Sequence, residues 1–109
     1  MAKMYFTLTG CNHYTGNFFL ERGMKVKLQK EPENRYDSEA IMVKIKGLGQ
    51  IGYVANSTGT VYGDTMSAGR LYDRIGDKAK AKVMYVMPDG AVCKIIDTGL
   101  GKELEDKEA

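Results

Sequence analysis

The stretch Ala40-Ile41-Met42-Val43-Lys44-Ile45-Lys46-Gly47-Leu48-Gly49-Gln50-Ile51-Gly52-Tyr53-Val54 decides the fold. Ile41, Val43 and Ile45 fall on one side of a period-two pattern and Lys44 and Lys46 on the other, which is what a half-buried strand requires. Gly47-Leu48-Gly49 then turns the chain into a second strand, Gln50 to Val54, so the segment reads as a β-hairpin. Gly47, Gly49 and Gly52 also spell G-x-G-x-x-G. A dinucleotide fingerprint of that spelling must open a helix whose amides meet a pyrophosphate, whereas Tyr53 and Val54 continue a strand. The hairpin turn is the better reading.

The same alternation extends in both directions. Upstream, Met4 to Thr9 sets Met4, Phe6 and Leu8 against Tyr5, Thr7 and Thr9, and Met24 to Gln29 sets Val26 and Leu28 against Lys25, Lys27 and Gln29. Downstream, Ala81 to Met87 and Ala91 to Ile96 flank Pro88-Asp89-Gly90, a turn in which Pro fixes φ and Gly is free to take a positive one. Between the hairpins, Asn56 to Ile75 is rich in Ser, Thr and Gly. Ser57 is placed to cap one short helix, and Leu71, Tyr72 and Ile75 have the spacing of a second. Six short strands with a helical interruption predict a mainly β fold with short helices, a six-stranded OB-like or SH3-like small barrel. A flat sheet of this size would leave one face uncovered and its edges open.

A chain of 109 residues with 43% hydrophobic side chains accommodates one domain, expected over residues 1–100, with a charged, disordered tail over 101–109. The net charge of +2 demands no polyanionic partner. The tail holds Lys102 and Lys107 against Glu103, Glu105, Asp106 and Glu108, which leaves +4 on residues 1–100. The start has no apolar run of signal-peptide length and no stretch approaches the length of a membrane span, so a cytoplasmic protein without a membrane partner is expected. Cys11 and Cys93 are then expected as reduced, semi-buried thiols. His13 is the single histidine and no zinc spacing surrounds it. Cys11 and His13 fall near each other, but no orienting group or oxyanion donor accompanies them. No catalytic residue, metal ligand or cofactor is therefore assigned.

The informative loop is Lys30-Glu31-Pro32-Glu33-Asn34-Arg35-Tyr36-Asp37-Ser38-Glu39-Ala40-Ile41. Pro32 ends the preceding strand by withholding an amide, and Asn34 and Asp37 are suited to folding the loop through side-chain to backbone hydrogen bonds. Tyr36 stands beside a carboxylate. An aromatic face next to a hydrogen-bond acceptor is the minimal equipment for stacking a nucleobase while holding a sugar hydroxyl, and Arg35 is placed to add a phosphate contact. The same residues equally describe a tyrosine packed on a barrel rim and an aspartate capping the next strand.

The run Leu28-x-x-Glu31-Pro32-x-Asn34-x-Tyr36-Asp37-x-x-Ala40-Ile41-x-Val43, followed by Gly49-x-Ile51-Gly52-Tyr53, resembles the HIRAN domain family, and Gly10-x-x-x-Tyr14-x-Gly16 fits its first turn. The match spans roughly residues 4 to 97. The resemblance implies an OB-like barrel that captures the 3′ end of single-stranded DNA in repair or stalled-fork processing, without a cofactor. Helicase or repair-protein partners are implied by the same token. Tyr36 is similar to the family aromatic that stacks on the terminal base, and Asp37 to the carboxylate that binds the 3′-hydroxyl. Asn34 matches a position that holds either the loop or the sugar. Asn12 stands where fork-remodelling members have an arginine, His13 where they have a second tyrosine, and Tyr53, Ala55 and Asn56 where they have a histidine and two lysines. Asn12, His13, Tyr14, Asn34, Arg35, Tyr36, Asp37, Tyr53 and Asn56 are thus the expected lining of a nucleic-acid site with few cations. The alternative is a protein-interaction module that uses the same rim without DNA, its surface tyrosines acting as anchors.

Overall fold

A computed structural model describes residues 4–14 and 16–101. The tail expected over 101–109 lies, apart from Gly101, outside the described residues. Six strands form: β1 (Tyr5–Thr9), β2 (Lys25–Lys30), β3 (Ile41–Ile45), β4 (Gly49–Val54), β5 (Lys78–Met87) and β6 (Gly90–Asp97). They close into an antiparallel barrel in the order β1-β4-β3-β2-β5-β6, with β6 returning to β1. Closure leaves no open edge, as the strand count and small size predict.

The core follows from the alternation. Phe6, Leu8, Val26, Leu28, Ile41, Val43, Ile51, Val83 and Ile95 are all 0–1% exposed and fill the interior, each such side chain contributing about 1.5–3 kcal/mol on burial. The β3–β4 hairpin is as expected: Gly47 and Gly49 have φ of 87° and 92°, a region open to glycine and strained for other residues. Gly52, the last glycine of the G-x-G-x-x-G spelling, has another duty. A side chain there would run into the Thr9 carbonyl and come within 2.9 Å of Leu8, so its absence lets β4 lie against β1.

In three places the structure departs from the pattern. Gly90 is not a positive-φ turn residue; it is the first residue of β6, and a Cβ on it would collide with the Leu8 carbonyl, so close approach to β1 is what requires glycine. Thr7, expected on the water side of β1, is 5% exposed. The segment after β4 folds back over it, with the Thr7 hydroxyl paired to Thr65 at 2.8 Å and accepting from the Tyr62 amide at 3.0 Å. Finally, Ser57 caps no helix. Its hydroxyl pairs with Thr60 at 2.9 Å, and its carbonyl accepts from the Thr60 and Val61 amides, closing a single turn. Thr58, Gly59 and Thr60 are poor helix formers with no large apolar side chain to bury, so nothing extends it.

The helix that does form, α1 (Ala68–Tyr72), is capped by Ser67, whose hydroxyl accepts from the Arg70 amide, and it buries Ala68 and Leu71. Ile75 is buried just beyond its end. Cys11–His13 form a 3-10 turn in which Cys11 is buried while His13 is exposed. No helix of the described residues is long and apolar enough to cross a membrane.

Candidate functional site

The loop joining β2 to β3 is folded by its own side chains. Pro32 stands two residues beyond the end of β2 at Lys30 and has no amide to carry the ladder on. The Glu31 amide donates to the Ala40 carbonyl at 2.9 Å, which fixes the loop's two ends. Inside it, the Asn34 carbonyl oxygen Oδ1 accepts from the amides of Tyr36 (2.9 Å) and Asp37 (3.0 Å), while its Nδ2 donates to Glu31 Oε1 at 3.0 Å. Asn34 is therefore a loop organiser; of the two roles its position suggested, holding the loop is the one the geometry displays.

Asp37 and Tyr36 are consequences of that turn. Asp37 Oδ1 accepts from the Glu39 amide at 2.9 Å and Oδ2 from Asn56 Nδ2 at 2.8 Å. A carboxylate offers about four lone-pair sites, so each oxygen retains capacity for a ligand hydroxyl. Tyr36 is thrown outward and is 96% exposed. Asn56 is held from its other end, its Oδ1 accepting from the Gly69 amide at 2.8 Å. The loop, the end of β4 and the start of α1 are thus connected through Asp37 and Asn56. Between them lies an open cleft of about 390 Å³ lined by Asn34, Tyr36, Asp37, Ala40, Tyr53, Val54, Asn56 and Ser57.

Tyr53 forms the β4 wall. Its hydroxyl donates to Glu31 Oε1 at 2.8 Å. A hydrogen bond with Gln50 pulls the Tyr53 pKa down, but partial burial, the bond to Glu31 and the charges of Glu31 and Tyr14 outweigh it and leave the phenol above its ordinary value. Tyr53 is accordingly a neutral donor around neutral pH. Glu31, which accepts from both Asn34 and Tyr53, is the residue that sequence reasoning passed over. The signal was its place directly before Pro32, within the quoted motif, where a carboxylate at the loop mouth can reach both neighbouring segments.

Five of the nine expected residues line the cleft: Asn34, Tyr36, Asp37, Tyr53 and Asn56. Asn12, His13, Tyr14 and Arg35 do not. Asn12, His13 and Tyr14 are exposed on the 3-10 turn and its end, which packs beside β4, and Tyr14 is near enough to Tyr53 to act on its charge. Arg35 is exposed on the loop. Among the described residues no group of three His, Cys, Asp or Glu side chains is placed to hold a metal ion. Burial raises the pKa of both thiols, Cys93 to about 12, so neither is a thiolate near neutrality.

A closed six-stranded barrel with an aromatic and a carboxylate presented side by side on a rim loop defines a small binding domain. The HIRAN domain family model matches residues 1–95, and the chain belongs to that family of DNA-binding modules. Its structure is similar to the crystal structure of the HIRAN domain of human HLTF, with a TM-score of 0.61 and 20% identity over 86% of this chain and 73% of that one. No curated protein sequence is a significant match.

Proposed function

We propose that the chain captures the 3′-hydroxyl end of single-stranded DNA in the cleft between the β2–β3 loop and the end of β4, and that it acts by binding alone. The observation that carries this reading is the Asp37 carboxylate at the cleft, half-satisfied by Glu39 and Asn56, beside the almost fully exposed Tyr36 ring. A terminal base stacked on Tyr36 brings its sugar toward Asp37, where a hydroxyl can donate to a charged acceptor. The surroundings favour a neutral terminus. Asp37 lines the cleft, Glu31 accepts from its lining residues Asn34 and Tyr53, and Glu39 stands next to Gly69, so a phosphorylated end meets like charge. Repair or processing of DNA ends is the setting in which such a module would serve. The two buried thiols, protonated near neutrality, fit binding without chemistry.

Fluorescence anisotropy with a linear oligonucleotide and a circular strand of the same composition tests the reading. The linear strand should bind and the circle should not; equal binding would remove end capture.

A further inference from the structure

The barrel wall next to the cleft carries an arrangement that folding alone does not favour. In the β2–β3 register Lys27 stands opposite Lys44, and in the β2–β5 register the same Lys27 stands opposite Lys80. Three lysines therefore occupy one row across three adjacent strands, and one acid, Asp97, ends the row opposite Lys80 on β6. In the next row Lys25 stands opposite Lys82. Neighbouring strands are about 4.8 Å apart, and like charges directly opposite each other destabilise a sheet. Lys27, Lys44 and Lys80 also line a depression of about 220 Å³ in the wall, together with Lys78 and Asp97.

The row is continuous with the cleft. Met42 is opposite both Gln29 and Tyr53, so the Gln29-Met42-Tyr53 row borders the cleft, and the Lys80-Lys27-Lys44 row comes two residues farther along the strands, about 7 Å away. Lys44 is held in that direction, its Nζ donating to Gln29 Oε1 at 3.0 Å. A surface with this spacing and sign is complementary to a chain of phosphates.

We propose that the lysine row of β2, β3 and β5 is a phosphate-tracking face that carries the single-stranded backbone away from the cleft. The inference rests on the end-binding reading for the strand's starting point and deepens it. It supplies cations to a domain whose first turn and β4 end present Asn12, Ala55 and Asn56. Contacts are to phosphates only, so the face adds affinity and salt dependence without base preference.

The test compares the parent with the triple variant Lys27→Gln, Lys44→Gln, Lys80→Gln, using a 3′-hydroxyl 15-mer read by anisotropy across a salt series and a 3′-hydroxyl trinucleotide read by amide-shift titration. Each lost contact to a single strand should lower the salt slope by about 0.7. The variant is expected to lose about 2 from the slope and about tenfold or more in 15-mer affinity at low salt, to bind the trinucleotide as the parent does, and to melt no lower than the parent, because repulsion has been removed. An unchanged 15-mer slope, or an equal loss for both ligands, overturns the proposal. Failure of the cleft reading shows separately, as a parent that binds linear and circular strands alike while its salt slope still depends on the lysines.

Discussion

Asn56 Nδ2 donates to Asp37 Oδ2 at 2.8 Å while Asn56 Oδ1 accepts from the Gly69 amide at 2.8 Å. One side chain thus anchors the binding carboxylate to the start of α1, and it does so across 19 residues of chain on one side and 13 on the other.

Asn56→Ala should cost about 1–3 kcal/mol of stability, since it leaves two partners unsatisfied, and should weaken end binding by releasing Asp37. Asn56→Asp is more diagnostic. Two carboxylates at this distance cannot both ionise cheaply, so the folded pair holds a proton more tightly than the unfolded chain does. Its stability should therefore approach the parent's near pH 4 and fall away as pH rises to 7. Urea titrations at the two pH values check the sign; a variant that tracks the parent at both would detach Asn56 from Asp37.

Tyr36 separates binding from folding. A residue that is 96% exposed buries almost nothing in the free protein, so Tyr36→Ala should shift unfolding by less than about 0.5 kcal/mol. It should nonetheless cost about 1–3 kcal/mol in affinity for a 3′-hydroxyl strand through lost stacking, and Tyr36→Phe should keep most of that affinity. Paired melting and anisotropy measurements decide it.

Cys93 makes an alkaline prediction. Burial, with a smaller effect from Cys11, raises its pKa from the ordinary thiol value of 9.0 to about 12. The unfolded chain therefore releases this proton first. The contribution of neutral Cys93 is fully present below pH 9 and is lost as pH rises from about 9 to 12, on the order of a few kcal/mol in all. Comparing the pH dependence of unfolding in the parent and in Cys93→Ala isolates this from the lysines and tyrosines that titrate in the same range. The parent should lose stability more steeply above pH 9. Native protein should also react slowly with a thiol reagent at pH 7 and rapidly once unfolded.

The strands were legible because their signal is local. The alternation of Ile41, Val43 and Ile45 and the glycines after it need no knowledge of the rest of the chain, and all six strands form within a few residues of where the pattern puts them. The loop was legible for the same reason, since Asn34, Tyr36 and Asp37 are organised by hydrogen bonds spanning two or three residues. What escaped depends on closure. Thr7 looks solvent-facing until Thr65 arrives from 58 residues away, and Glu31 looks like an ordinary charged loop residue until Tyr53 reaches it from 22. Ser57 has a cap's chemistry but no apolar turn after it to make a helix worth forming. Gly90 has the sequence context of a turn, whereas a neighbouring strand dictates it. The lysine row is of this second kind: Lys27, Lys44 and Lys80 are ordinary water-facing residues in their own strands and become a charged face only when the three strands pair.

The ratio of affinities for a 3′-hydroxyl strand and the same strand with a 3′-phosphate, measured on the parent and on Asp37→Ala, tests the central claim most directly. A hydrogen bond from a hydroxyl to a charged acceptor contributes about 1.5–3 kcal/mol, so the parent should prefer the hydroxyl by roughly ten- to a hundredfold, and Asp37→Ala should remove most of that preference, leaving only the repulsion from Glu31 and Glu39. A parent that binds both ends equally, or a variant that keeps the preference, would contradict capture of the 3′-hydroxyl by Asp37.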